Sequence, residues 1–100
     1  MKKLTLKNFF EKIYRRDVNL GKTLWNNGGI IYTTHESEDE YSALVLGEGG
    51  MNYTTEIEFY GDEIVETSCS CSNEWVEYCS HVVATLFELR KNVIRKPTNA

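Results

Sequence analysis

The chain lacks the features of membrane-spanning and disulfide-bonded secreted proteins. No apolar run approaches the roughly 20 residues that a transmembrane helix needs. The first residues also lack the apolar core of roughly 7–15 residues found in signal peptides, because Lys7, Glu11 and Lys12 interrupt the segment. The cysteine count is odd, at three, whereas a disulfide framework needs pairs. We therefore expect a cytoplasmic protein with reduced thiols and no membrane contact.

Positive charge is absent from the centre of the chain. The net charge of the 100 residues is −4, yet residues 23–89 contain thirteen Asp or Glu and no Lys or Arg. Residues 1–22 contain seven Lys or Arg and two acids, and the end of the chain adds Arg90, Lys91, Arg95 and Lys96. The acids suit an ordinary soluble surface, but they also repel phosphates. Nucleic acid is therefore expected to bind weakly, if at all, and only through the two basic terminal segments.

All three cysteines and one of the two histidines lie in one short stretch. Cys69, Cys71, Cys79 and His81 follow the pattern C-x-C-x7-C-x-H. Three thiolates and an imidazole are the ligand set of a closed, tetrahedral structural zinc site, whereas a catalytic zinc keeps one position open for water. We predict one structural Zn²⁺ per chain, bound by these four residues, and no catalytic residues.

The spacing within the motif also predicts its local structure. On an α-helix, positions 79 and 81 point about 200° apart, so both cannot reach one ion from a helix interior. We therefore place His81 in a first helical turn and Cys79 just before it. Cys69 and Cys71 are two residues apart, and alternate residues of an extended segment face the same side. The motif indicates a strand end and a helix start joined by one ion.

The sequence alone leaves other roles open for these residues. Mixed sets of cysteine and histidine also bind iron–sulfur clusters. Cys79 with His81 as its base would make a nucleophile, although that assignment leaves the C-x-C pair unexplained. A disulfide between Cys69 and Cys71 would close a very small, strained ring. Buried cysteines without any ligand are the remaining alternative.

Small and aliphatic residues surround the motif in a recognisable order. The chain reads Ser68-Cys69-Ser70-Cys71 and then Cys79-Ser80-His81-Val82-Val83-Ala84. In this pattern it resembles the SWIM zinc finger, although many members have Pro where this chain has Ser72. Upstream, Gly21-Lys22-Thr23-Leu24-Trp25 with Gly28-Gly29-Ile30 is similar to the stretch that opens the SWIM-containing N-terminal region of bacterial Swi/Snf-type helicase-like ATPases. The resemblance covers most of residues 18–92 and implies a zinc-binding accessory module.

Apolar periodicity predicts a small, zinc-stabilised α+β domain with a helix at each end of a four-stranded antiparallel sheet. An N-terminal helix, capped by Thr5, is expected from the helical spacing of Leu6, Phe9, Phe10 and Ile13. Strands are expected at residues 30–34, 41–46, 52–60 and 63–68, with an acidic loop at 35–40. Ser80 is expected to cap a helix that ends near Asn92 and faces the sheet with Val82, Val83, Leu86 and Phe87. The zinc site then lies between the last strand and the last helix.

Two further residues attract attention because of their position. Trp75 lies between Cys71 and Cys79, where its side chain would either cover the zinc site or face a partner. His35 lies among four acidic residues, but the spacing of an oxygen-ligand metal loop is absent. We therefore interpret residues 35–40 as a solvated hairpin loop.

Pattern and charge together suggest three segments and two competing functions. The segments are a basic amphipathic helix with its connection at 1–22, a SWIM-like zinc-binding domain at 23–92 and a basic tail at 93–100. The first function is a non-enzymatic zinc module for protein–protein or interdomain contact, with a downstream ATPase domain as one partner. The alternative is a nucleic-acid-binding finger that uses the basic segments. A thiol enzyme or redox sensor ranks last, because it requires a reactive Cys79 without metal.

Overall fold

The computed structural model describes residues 4–71 and 78–95 of the chain. Within them the element order is α1 (Phe9–Lys12), α2 (Arg15–Asn26), β1 (Ile30–Ser37), β2 (Glu40–Leu46), a 3-10 turn (Glu48–Gly50), β3 (Asn52–Tyr60), β4 (Glu63–Cys69) and α3 (Ser80–Asn92). The four strands form one antiparallel sheet in the order β1-β2-β3-β4. The predicted α+β class, with a four-stranded sheet and a C-terminal helix, is confirmed.

Helix α3 forms the middle layer of the fold. Its buried residues surround most of the helix: Val82, Val83, Ala84, Thr85, Leu86, Phe87 and Leu89. A helix that is apolar around its circumference has to be covered on more than one side. The inner face of the sheet covers one side of α3, through buried residues such as Thr55 and Ile57 of β3, and α2 covers another. The core therefore lies on both sides of α3.

A glycine allows α2 and α3 to approach closely. Gly21 is buried, and a Cβ at that position would overlap the side chain of Val83. One turn further along α2, the Trp25 ring stacks on Phe87 with 5.4 Å between ring centroids. The Trp25 indole also donates a 2.8 Å hydrogen bond from Nε1 to Glu88 Oε1. The segment from Gly21 to Trp25 thus packs against α3. Phe87 contacts Phe9 and Trp25 and so faces the helices rather than the sheet, contrary to our expectation.

The N-terminal region differs from the single helix that the sequence predicted. The helix expected around Leu6 and Ile13 is the four-residue α1, and the longer helix α2 was not predicted. Thr5 is not the helix cap, because Asn8 precedes α1. Instead Thr5 forms an isolated bridge with Glu63 at the edge of the sheet. The N-terminal segment therefore extends the sheet at β4 before the chain enters the helical layer.

The first hairpin is longer and tighter than expected. Strand β1 continues to Ser37, so the acidic segment is mostly strand and only residues 38 and 39 form the turn. His35 lies in this strand and stacks on Tyr41 with 4.2 Å between ring centroids. In β3 the expected alternation holds, since Thr55, Ile57 and Phe59 are buried while Glu56 and Glu58 are exposed. The expected solvated loop around His35 is therefore a paired strand.

The outer face of the sheet is acidic. Glu40 pairs with Glu58, and Glu58 pairs in turn with Glu66 on the next strand. Residues directly opposite each other in antiparallel strands point to the same side, so the three glutamates form one row across β2, β3 and β4. All three are exposed. This glutamate row lies on the side of the sheet opposite to α3.

Arg95 connects the segment after α3 to two turns of the sheet. Its guanidinium donates hydrogen bonds to the backbone oxygens of Gly61 and Glu38, at 2.7 and 2.8 Å, and to the Asp39 carboxylate. The same group lies 4.8 Å from the centroid of the Phe59 ring. Arg95 therefore has a structural role in the fold.

No helix in the described part of the chain is long and apolar enough to cross a membrane.

Candidate metal centre

The four motif residues meet where the sheet joins α3. Strand β4 ends at Cys69, and Cys71 follows two residues later. Cys79 is the N-cap of α3, with an extended backbone, and His81 is the second helical residue. Placing His81 in the first turn and Cys79 before it was therefore correct. Ser80, which we expected as the cap, is instead the first residue of the helix.

The distances within the cluster suit one small ion. The four ligand atoms all lie within 4.8 Å of one another. Nδ1 of His81 lies 3.7 Å from the sulfur of Cys69 and 3.7 Å from that of Cys79. Tetrahedral zinc with Zn–S bonds of about 2.3 Å has ligand atoms about 3.5–3.8 Å apart, so these separations are close to those of a coordination sphere. The three cysteines are not bridged to one another. The cluster is therefore compatible with binding of a metal ion, and Nδ1 is the histidine nitrogen that faces the sulfurs.

Backbone pairing fixes the C-x-C segment against the sheet. Ser70 donates its N–H to the Thr54 carbonyl at 2.9 Å, and its hydroxyl oxygen accepts the Thr54 N–H at 2.9 Å. The Cys71 N–H also points to the sulfur of Cys69 at 3.5 Å. Ser70, the small polar residue between the two cysteines, thus continues the strand pairing through its backbone N–H, and its side chain accepts one further hydrogen bond. Both thiols remain on the side facing α3.

Residues outside the motif contact His81, and the sequence analysis missed them. The Tyr53 ring lies against the imidazole, with 4.6 Å between centroids. Thr85, one turn along α3, donates its hydroxyl to the His81 carbonyl at 2.9 Å and lies 2.7 Å from the buried Thr55 hydroxyl. The i+4 spacing of Thr85 from His81 and the inward positions of Tyr53 and Thr55 on β3 were the available signals. Tyr53 therefore packs against the imidazole itself, whereas Thr85 holds only the backbone of His81.

Without metal, two of the thiols share a proton. A hydrogen bond from the Cys69 thiol is the main factor that lowers the pKa of Cys79, to about 3, and the His81 ring and the Val82 N–H act in the same direction. The same bond, together with burial, raises the pKa of Cys69. The hydrogen bond from Cys69 thus favours the thiolate form of Cys79, at the buried N-cap position. A thiolate is the form of cysteine that binds metals.

The remaining candidate residues lie elsewhere. Trp75 is outside the described residues. His35 lies near its own hairpin turn, with Nε2 3.4 Å from the Glu38 carbonyl oxygen, and stacks on Tyr41. Among residues 4–71 and 78–95, no second group of histidine, cysteine or carboxylate side chains converges as the motif residues do. The structure thus favours the four-residue motif over the acidic hairpin as a metal site.

Comparisons with protein-family models, with curated proteins and with solved structures find no match for this chain. The resemblance to the SWIM finger therefore rests on the motif residues themselves and on their positions at a strand end and a helix start.

Proposed function

We propose that Cys69, Cys71, Cys79 and His81 bind one zinc ion and that its role is structural. The convergence of four nitrogen and sulfur ligands within 4.8 Å is the observation that supports this proposal most strongly. Four protein ligands complete a tetrahedral site and leave no position for water or substrate. The ion would join the end of β4 to the start of α3, which is the central layer of the core. We therefore propose a non-catalytic role for the ion.

The zinc proposal is tested by metal content and by matched variants. Protein purified without metal and then reconstituted should bind one zinc per chain. Cys79→Ser should lose most of that zinc, whereas Ser80→Ala, next to two ligands, should retain it. Iron in place of zinc, with the visible absorbance of a cluster, would favour the iron–sulfur alternative. Thiol labelling that is equally fast with and without a chelator would favour a reactive Cys79 without metal.

For the module as a whole we propose a role in protein–protein or interdomain contact. The acidic outer face of the sheet supports this role, because it is exposed, repels phosphates and suits a basic protein surface. The motif's similarity to SWIM fingers supports the further proposal of an accessory module in a helicase-like ATPase. A cytoplasmic, reducing location would keep the three thiols available for zinc.

Nucleic-acid binding is the second candidate, and one observation favours it. Helices α2 and α3 lie side by side, so Arg15 and Lys22 from one terminal segment approach Arg90 from the other. These three cations are thus on the helical side of the molecule, opposite to the glutamate row. Arg95 is less available than expected, because its side chain is 13% exposed and bonded to two turns.

Fluorescence anisotropy with labelled oligonucleotides separates the two candidates. The interaction role predicts weak binding at low salt that disappears at physiological salt, because purely electrostatic binding to phosphates through a few cations is weak from the start and salt weakens it further. Tight, salt-resistant and sequence-selective binding that is lost in Arg15→Glu or Arg90→Glu would reverse the ranking. Glu58→Gln serves as the control on the opposite face, and it should not weaken any nucleic-acid binding.

A further inference from the structure

The helical side of the molecule contains an open groove between α1, α2 and α3. Its volume is about 670 Å³. Apolar side chains from all three helices and their connection form the floor, namely Phe10, Ile13, Val18 and Phe87. Three cations lie along the rim, Arg15, Lys22 and Arg90, together with the single acid Glu11. We call this feature the helical groove; it contains none of the candidate metal ligands.

The charge of the helical groove differs from that of the chain. Three cations and one acid give its lining a positive balance, although the protein has a net charge of −4. The rim residues Arg15, Lys22 and Arg90 are all exposed, so their charged groups are accessible. A ligand that matches this groove requires negative charge at its edges and an apolar group over the floor.

Contacts within the protein limit base stacking on the two aromatic rings of the groove, although Phe10 is 36% exposed. Arg90 lies over the Phe10 ring, 4.9 Å from its centroid. Phe87 is 5% exposed and stacks on Trp25 within the core. Proteins that bind single strands combine a cationic groove with exposed ring faces. The floor therefore suits an aliphatic or aromatic side chain of a peptide better than a nucleobase.

We infer that the helical groove binds an acidic protein segment, with carboxylates at the rim cations and an apolar side chain on the floor. The inference rests on the proposed role in protein–protein contact. It adds a second contact surface to that role, on the side of the molecule opposite to the glutamate row. Helix-in-groove recognition combines an apolar anchor with flanking charges in the same way. Arg90 lies nine residues after His81, about 13 Å along α3, so the groove is distinct from the metal cluster.

Binding of a defined peptide to zinc-reconstituted full-length protein tests this inference. The probe is a short labelled peptide in which glutamates flank two leucines, measured by anisotropy. The double variant Arg15→Glu/Lys22→Glu should raise the Kd about tenfold or more, because two attractive contacts become repulsive. Lys91→Glu, a neighbouring cation that does not line the groove, should change the Kd less than about threefold. Circular dichroism and zinc content verify that each variant is folded, and Arg15→Gln/Lys22→Gln replaces the double reversal if it is not.

The control ligands distinguish the occupants. A peptide with serine in place of leucine should bind about tenfold more weakly, which reports the apolar floor. The inference is overturned if the serine peptide binds equally well, if a single-stranded oligonucleotide displaces the probe and binds more tightly, or if no acidic peptide binds. Self-association that Lys22→Glu abolishes would place a second copy in the groove and would also overturn it. If Glu58→Gln abolishes binding of a protein partner and Lys22→Glu does not, the inference about the helical groove is contradicted. The proposed role in protein–protein contact then still stands.

Discussion

The buried pair Thr55 and Thr85 provides a sharp test of how the sheet positions the candidate metal site. Both residues are fully buried, and their hydroxyl oxygens are 2.7 Å apart. Thr85 uses its only hydroxyl proton to donate to the His81 carbonyl at 2.9 Å, so Thr55 is the donor in the pair. A directed chain of hydrogen bonds therefore runs from β3 through α3 to the backbone of His81.

The direction of this chain makes the two valine substitutions unequal. Thr85→Val leaves the buried Thr55 hydroxyl without its acceptor, which costs about 1–3 kcal/mol of unfolding free energy. Thr55→Val leaves Thr85 bonded to His81 and removes one ordinary hydrogen bond, at about 0.5–1.5 kcal/mol. The double variant has no orphaned hydroxyl, so it should be less destabilised than the sum of the two single variants, by about 1 kcal/mol.

Urea unfolding of the zinc-loaded protein measures these differences from the transition midpoint at constant slope. Thr85→Ser keeps the hydroxyl and is the matched control; it should lose less stability than Thr85→Val. Zinc affinity should fall in Thr85→Val and remain near wild type in Thr55→Val, because only Thr85 contacts the His81 carbonyl. Equal costs for the two valine variants, or strictly additive costs, would refute the directed chain.

Four other outcomes are expected. Gly21→Ala should lower the unfolding free energy by about 1–3 kcal/mol, because its Cβ overlaps Val83, and a melting temperature at or above that of an exposed Lys22→Ala control would contradict this packing. Arg95→Ala should accelerate amide exchange in both hairpin turns, at Glu38 and Gly61, and an effect on one turn alone would contradict the shared anchor. Chelation at neutral pH should raise exchange mainly around the motif, and a uniform rise across the sheet would show that the whole fold requires metal. In metal-free protein the pKa of Cys79 is about 3, well below the thiol value of about 8.5 expected in the unfolded chain. The folded state therefore binds fewer protons between these values, so stability in urea should rise with pH across this window, and a fall would contradict the shared proton.

The fold elements that the sequence predicted well are those with a strong local pattern. Strand β3 was correct at both ends, because its inward and outward residues alternate without interruption from Asn52 to Tyr60. Helix α3 was correct at its end near Asn92 and within one residue at its start, where Cys79 rather than Ser80 is the cap, since the ligand spacing of Cys79 and His81 dictates that start. The meeting of four chemically suitable side chains also followed from spacing, without any knowledge of the tertiary contacts.

Helix α2 was missed partly because its close approach to α3 is made at a residue without a side chain, Gly21. Gly21 lowers helix propensity, so a pattern of apolar residues gives no reason to expect a helix through it. The reason for a glycine at this position is visible only in the folded structure, where the Val83 side chain packs directly against the backbone of Gly21. The first hairpin was misjudged for a similar reason, because pairing with β2 keeps the polar residues up to Ser37 in a strand. Tertiary contacts outweigh local preference in both cases.

The glutamate row on the outer face of the sheet also affects how copies of the protein meet in concentrated solution. Two identical sheets that stack face to face would place their rows about 10 Å apart and remove water from six carboxylates. Glu40, Glu58 and Glu66 have no lysine or arginine in strands β1 to β4 to offset that charge. Face-to-face stacking of the sheets is therefore unfavourable, because it would bring like charges together and desolvate them. A surface that weakens the folded sheet slightly through like-charge repulsion thus helps to keep the protein dispersed.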